Sequence, residues 1–215
     1  MRVAETNVYK FSELSDSAKE NAREWMRQAE RESFDPDSAY EDLQAVASIM
    51  GIEIAQRRQN VIRRDGSHSS YMSPCIYWSG FSSQGDGACF EASFTYSKGM
   101  KDGIRAYAPQ DMTLHGIADV LADVQKRNFY AIRGNVTHRG NYNHEYCTSF
   151  YLHRTDDKPI SESDEELFVS AVRSLMKWFY RQLESEYEYR MSDEAIDETI
   201  EENEYEFDES GNVWR

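Results

Sequence analysis

Cysteine is scarce in this chain and never paired. Cys75, Cys89 and Cys147 are an odd number, and no two stand at a disulfide-framework or metal-knuckle spacing. That argues against a stapled scaffold and for a reducing, cytoplasmic setting. Apolar runs are short, so no membrane span is expected, and no secretory leader is read at the start. Asn135-Val136-Thr137 fits a glycosylation acceptor, which has no meaning in the cytoplasm. Basic residues are the other shortage: 24 Lys and Arg stand against 39 Asp and Glu, for a formal net charge of −15. A chain so balanced repels nucleic acid and membrane surfaces and attracts cationic ones.

What is there is unevenly placed. Residues 156–215 hold 19 Asp/Glu and 6 Lys/Arg, whereas residues 1–155 hold 20 and 18. The acidity therefore belongs to the C-terminal third, and direct nucleic-acid binding by that third is not expected. The chain also has 14 Tyr, 10 Phe and 4 Trp, more than a disordered acidic tail would carry. Near the end, Asp193-Glu194, Asp197-Glu198 and Glu201-Glu202 recur every four residues. Residues four apart lie one above another on a helix, so these form two acid rows on one side. Glu204, Glu206 and Asp208 then recur every two residues, the period of one strand face, with Glu209 following. Ala195, Ile196, Ile200, Tyr205 and Phe207 supply the apolar backing. Like-charge i,i+4 pairs disfavour a helix by roughly 0.2–0.5 kcal/mol each. A chain selected for stability alone would place lysines among them; the alternative is a solvated, solubilising face.

The rest of the chain alternates helical and strand signals over 1–215, read as a single domain with an acidic C-terminal subregion, 156–215. Val3 to Phe11 suits an edge strand. Ser15 suits an N-cap for a helix with Ala18, Ala22, Trp25, Met26 and Ala29 inward. Asp35-Pro36 starts a second helix as cap and first residue, with Ala39, Leu43, Val46, Ala47 and Met50 inward and Gly51 ending it. Ile52 to Ile62, Cys75 to Phe81 and Ala88 to Tyr96 read as strands, with a polar loop from Arg63 to Ser73. Leu114, Ile117, Ala118, Leu121 and Val124 mark a central helix ending near Asn128. Phe129 to Thr137 and Glu145 to Arg154 make a hairpin. Ser163 with Glu166 predicts a capping box opening a long apolar helix, Ser192 caps the acidic one, and Asp208 to Asn212 turns. The expectation is α+β, with an antiparallel sheet of about five strands covered by helices.

Candidate chemistry is thin. Gly80 to Gly87 has the Gly-x4-Gly spacing of a phosphate loop, but Asp86-Gly87 replaces the Lys and Ser/Thr it needs, and the segment joins strand to strand. A bulged hairpin is the simpler reading. His138, His144, Glu145 and Cys147 flank one turn, across which His138 and His144 could share a metal, but a zinc site needs three or four ligands and nothing else supplies them at a known spacing; a cross-strand polar pair is the simpler reading. Cys89 or Cys147 with a histidine could form a nucleophile, yet both cysteines sit in strand-like stretches, and no Gly-x-Ser-x-Gly elbow exists. A non-enzyme without cofactor or metal is the expectation, with a small hydrolase or metal-dependent enzyme the least favoured class. Arg57-Arg58 and Arg63-Arg64, near Tyr71, Tyr77 and Trp78, form the basic cluster of the chain. They suit a charged edge strand that resists aggregation better than a nucleic-acid surface, and they could also face the acid rows, within the molecule or in a dimer.

As a set, several segments resemble a family of small proteins from tailed phages and prophages. They are Val8-Tyr9-Lys10-Phe11, Glu13-Leu14-Ser15, the run from Tyr77 to Glu91, Arg127-Asn128-Phe129-Tyr130, His144-Glu145-Tyr146 and Asn203-Glu204-Tyr205-Glu206-Phe207. Some members are labelled antitoxins of a toxin–antitoxin stability system. The resemblance implies a phage origin and a single domain, and hands over neither catalytic residues nor a cofactor. Together these readings predict an acidic inhibitor that binds a basic surface on a host defence or DNA-binding protein. The alternative is an antitoxin-like partner of a basic toxin. Two acid rows rising about 1.5 Å per residue give one charge per about 3 Å, against one per about 1.7 Å along duplex DNA. One chain would thus imitate DNA in part; a homodimer aligning two stripes would do better.

Overall fold

The computed structural model describes residues 7–214 of the chain. They form an α+β fold that divides into two compact units, Asp37–Gln182 and Met1–Pro36 with Leu183–Arg215.

The larger unit begins with helix α2 (Asp37–Ile49), the preceding helix α1 (Asp16–Ser33) belonging to the other. The predicted inward residues Ala39, Leu43, Val46, Ala47 and Met50 are all buried, and Gly51 stops the helix. Pro36 lies one residue before the helix rather than in its first turn. The main sheet has four antiparallel strands in the order β2 (Ile52–Ile54), β7 (Ala92–Phe94), β8 (Ile132–His138) and β9 (Thr148–Arg154). The stretch from Ile52 to Ile62 is one run of extended chain, but it changes partners at Ala55. There the amide of Ala55 donates to Glu91 (2.8 Å), its carbonyl accepts from Cys75 (2.7 Å), and the amide of Glu91 donates to Cys75 (2.9 Å). Past this junction β3 (Gln56–Ile62) pairs with β4 (His68–Pro74), and β5 (Ile76–Ser79) pairs with β6 (Gly87–Phe90). Residues 68–73 are therefore a strand, not the expected loop. They were missed because β4 is polar on both faces and shows no alternation.

Helix α3 (Met100–Tyr107) follows, anchored by buried Met100 and Ile104. Helix α4 (Met112–Arg127) starts at Asp111, whose Oδ1 accepts from the amide of Leu114 (2.9 Å), and ends at Asn128. Helix α5 (Glu162–Met191) opens two residues earlier than the capping box predicts. Ser161 is the residue whose Oγ accepts from the amide of Asp164 (3.2 Å), and Ser163 lies inside the helix. Side chains of α2, α3, α4, α5 and the sheet meet around Met50, Met100, Leu121, Phe168 and Phe94. Phe94 packs edge-on against Phe168 at 5.3 Å. A polar knot closes the end of α4. Asn128 donates to Asp164 (2.8 Å) and accepts from Arg154 (3.3 Å), while Arg127 also reaches Asp164 (2.7 Å). The buried Arg154 forks onto Asp156.

The smaller unit holds β1 (Tyr9–Lys10), a 3-10 turn (Phe11–Glu13), α1 (Asp16–Ser33), the end of α5 from Leu183, α6 (Asp193–Glu202) and β10 (Glu206–Phe207). The expected edge strand is formed at Tyr9–Lys10, paired with β10; Val3 lies outside the described residues. Ser15 caps α1, its Oγ accepting from the amide of Ala18. Ala18, Ala22 and Met26 are buried as predicted, but Ala29 is exposed. They meet Phe11, Leu14, Ile196, Ile200 and Phe207 in one core, with Trp25 set edge-on to Tyr205 at 5.1 Å.

Candidate functional site: the acidic helix and its arginine clamp

Helix α6 forms where the acid pattern predicts it. Ser192 caps it, with Oγ accepting from the amide of Ala195 (3.3 Å), and Ile196 and Ile200 drop into the core of the smaller unit. At about 100° per residue, this fixes where each acid points. Asp193 and Asp197 lie beside the buried edge, next to α1. Glu194, Glu198 and Glu202 lie on the far side, with Glu201 between.

The two rows consequently have different fates. Asp197 receives Nε and Nη2 of Arg23 in a two-pronged pair, both at 2.7 Å. Asp193 pairs with Arg27, and its other oxygen stands 4.0 Å from Arg23. Arg27 also donates to Glu20 (2.9 Å) and to the carbonyl of Met191 (3.2 Å), at the end of α5. The guanidinium of Arg23 lies 5.7 Å from the ring centre of Phe11. The hydrogen bond and charge of Asp197 raise the affinity of Arg23 for its proton, against the opposing effect of burial. A forked guanidinium–carboxylate pair fixes orientation as well as charge. Two of the three acids in the first row, Asp193 and Asp197, are thus taken up in holding α6 to α1, and Glu201 is left. Glu194, Glu198, Glu201 and Glu202 are exposed, and no cation pairs with them among the described residues.

The acids after the helix do not continue the row as one strand face. Glu204 sits at a left-handed φ of +53°, and β10 is two residues long. Glu206 and Glu209 are exposed. Asp208 turns back on its own chain: it accepts from the amides of Ser210 and Asn212 and from the Asn212 side chain, each at 2.9 Å. The Asn212 side-chain bond, then the backbone bonds, hold its carboxyl below the usual range. The predicted turn from Asp208 to Asn212 is present, and it is pressed against α1. Gly211 has φ +83°, and a Cβ there would stand 2.0 Å from the carbonyl oxygen of Ala18. Only glycine fits so close an approach at that backbone angle.

In the larger unit, the Gly80–Gly87 segment fills its own anion nest. Oδ2 of Asp86 accepts from the amides of Ser82 (3.0 Å) and Ser83 (2.6 Å), and Gly85 takes φ +99°. His138 stacks on Tyr77 at 4.6 Å, while Nε2 of His144 stands 3.5 Å from Sγ of Cys147. The amide of Tyr146 donates to Nδ1 of His144 (3.1 Å). Cys89 is fully buried, and burial, followed by the nearby Cys147, Glu91 and Glu145, pushes its thiol up to about 12. No group of three or more His, Cys, Asp or Glu that could hold a metal occurs among the described residues. A polar cleft of about 710 Å³ beside α5 carries both signs of charge, from Glu162, Glu165 and Glu166 to Arg173 and Lys177. Its Arg173 guanidinium lies over Tyr146 (5.0 Å) and Phe150 (5.6 Å). Sequence reasoning missed that cleft because Tyr146 and Arg173 meet only in the folded chain.

No helix among the described residues is long and apolar enough to cross a membrane. No curated protein and no solved structure matches the chain. A family model matches residues 36–193, which takes in the larger unit and stops at the first residue of α6. That stretch is more than half of the sequence, and the chain belongs to the family described as Domain of unknown function (DUF8835).

Proposed function

We propose that this protein binds a cationic surface of another protein through the outer acid row of α6, as a phage-encoded inhibitor of a host defence or DNA-binding protein. The observation that carries the reading is the set of four exposed carboxylates, Glu194, Glu198, Glu201 and Glu202, on a helix clamped to α1 by Arg23 and Arg27. A clamped helix presents its charges without first losing conformational freedom, which favours association. The resemblance of the chain to tailed-phage proteins supplies the class of target.

Magnitude limits the mode of binding. With Asp193 and Asp197 paired internally, four free charges span about 12 Å of helix, at about 1.5 Å per residue. That is one charge per about 3–4 Å, against one per about 1.7 Å on duplex DNA. The surface suits electrostatic docking to a basic patch better than charge-for-charge imitation of a duplex.

The test is capture of host proteins on the immobilised chain, alongside a variant carrying Glu194→Lys, Glu198→Lys, Glu201→Lys and Glu202→Lys. The expected partner is retained at low salt, elutes as ionic strength rises, and is lost with the variant. Equal retention of the same protein by a folded variant sinks the reading.

A further inference from the structure

The hairpin of β3 and β4 leaves the molecule as an arm. It departs from the main sheet at the Ala55–Cys75–Glu91 junction, and its seven paired positions run from Gln56 opposite Pro74 to Ile62 opposite His68. Nearly every residue of the arm is exposed, on both faces; Ile62 at the tip is 68% exposed, Met72 59% and Tyr71 57%. A two-stranded ribbon with no covered face is marginal in stability, so this one has no packing role to justify its form.

Its composition opposes that of the chain. Residues 56–74 contain four arginines and one acid, in a sequence with a net charge of −15. That acid, Asp65, is in the turn, accepting from the amide of Ser67 (2.9 Å). Neither strand contains an acid. Arg57 and Arg58 stand at the base on opposite faces, and Arg63 and Arg64 stand at the tip. None of the four forms an ion pair among the described residues; Arg58 donates to Oγ of Ser70 (2.9 Å) across the ribbon. Between the two pairs of guanidiniums the side chains are uncharged: the hydrogen-bonding Gln59, Asn60, Ser69, Ser70 and Tyr71, with the exposed apolar Val61, Ile62 and Met72.

We propose that this arm docks in the groove of duplex nucleic acid, with the paired arginines at its two ends on the phosphates. Seven residues at about 3.3 Å make a ribbon about 23 Å long, and the major groove, about 12 Å wide, admits a two-stranded ribbon. Guanidiniums at both ends match phosphates on the groove walls, while one face of the ribbon, where Asn60 stands opposite Ser70, meets base edges and Gln59 and Ser69 lie on the other face. A single-strand site would need a run of aromatic platforms, and the arm exposes only Tyr71. Apart from the arm, residues 37–182 carry 12 Lys/Arg and 17 Asp/Glu, a balance of −5 against −13 for the smaller unit, so the arm is not set in the most acidic part of the chain. This inference does not depend on the acid row of α6.

Fluorescence anisotropy of the full chain on a labelled mixed-sequence duplex tests it. Four phosphate contacts give a slope of log affinity on log salt of about −3 to −4, which is roughly a 60-fold or greater loss between 50 and 200 mM salt. The variant Arg57→Ala, Arg58→Ala, Arg63→Ala and Arg64→Ala, with an unchanged melting profile because the arm buries little, is expected to lose binding at 50 mM. The matching four Arg→Lys changes are expected to retain most of it. The proposal is overturned by no duplex binding at 50 mM, by equal binding and slope in the alanine variant, or by tighter binding to the single strand. It is equally overturned if the alanine variant abolishes self-association of the chain in sedimentation and leaves duplex affinity unchanged; the acid row of a second copy is then the arm's partner.

Discussion

Arg23 presents two nitrogens to the two oxygens of Asp197, 174 positions away along the sequence. Its side chain is one-fifth exposed, which places the pair between a wet surface bridge and a buried one. Surface pairs contribute about 0–1 kcal/mol and breaking a buried pair costs about 3–5. Arg23→Ala is therefore expected to destabilise the smaller unit by about 1–2 kcal/mol, read as a lower urea midpoint. No change in midpoint would mean that the fork does not hold α6. Asp86 teaches the same lesson about single residues. A carboxylate in the Gly80–Gly87 turn occupies the amides that a bound anion would need, so that segment keeps its shape from within.

At the scale of elements, α6 carries two rows with opposite demands. The outer row is like charges stacked four apart, and the inner row faces arginines. The same substitution should then act with opposite sign on neighbouring residues. Glu198→Lys turns two repulsive i,i+4 pairs into attractive ones and is expected to stabilise the chain by about 0.5–1 kcal/mol. Asp197→Lys sets a cation against Arg23 and is expected to destabilise it by more than about 1 kcal/mol. Chemical denaturation of the two variants decides it: shifts of the same sign refute the division into clamp and free row. The β3–β4 arm is the other element whose form asks for a partner, because it orders fourteen residues while covering almost nothing.

Taken whole, the molecule separates charge by unit. Residues 37–182 balance to −2, and the remaining −13 lies in the smaller unit. Acid should loosen both units through particular carboxylates. Asp119 is held low by hydrogen bonding to Arg105, Asp156 by Arg154, Glu20 by Arg27 and Asp208 by Asn212. Asp164 is pushed up by its burial, but Arg127 and Asn128 together outweigh this and leave it low. Each has a folded pKa below its unfolded value of about 4. The stability they contribute is present above that value and is lost as pH falls through the folded ones. The thermal midpoint is expected to fall progressively below about pH 4, as followed by calorimetry. A midpoint that holds steady or rises from pH 4 to pH 3 would contradict these pairings.

Much of the architecture was legible in neighbours along the chain. Ser15 and Ser192 cap the helices they were expected to cap, the apolar repeats of α2 and α4 fall on buried faces, and the α+β class follows from the order of such elements. Two elements were not legible. Helix α3 is eight residues long with two anchors, too short for a periodic signal, and β4 is wet on both faces, so nothing along it alternates. The acid pattern itself was written in the sequence, for helical spacing is a property of consecutive residues. Which carboxylates remain free was decided only by tertiary structure. Arg23 and Arg27 reach Asp197 and Asp193 through the packing of α1 on α6. Local spacing fixes the face on which a charge stands, whereas its neutralisation depends on what the folded backbone brings within a few ångströms of it.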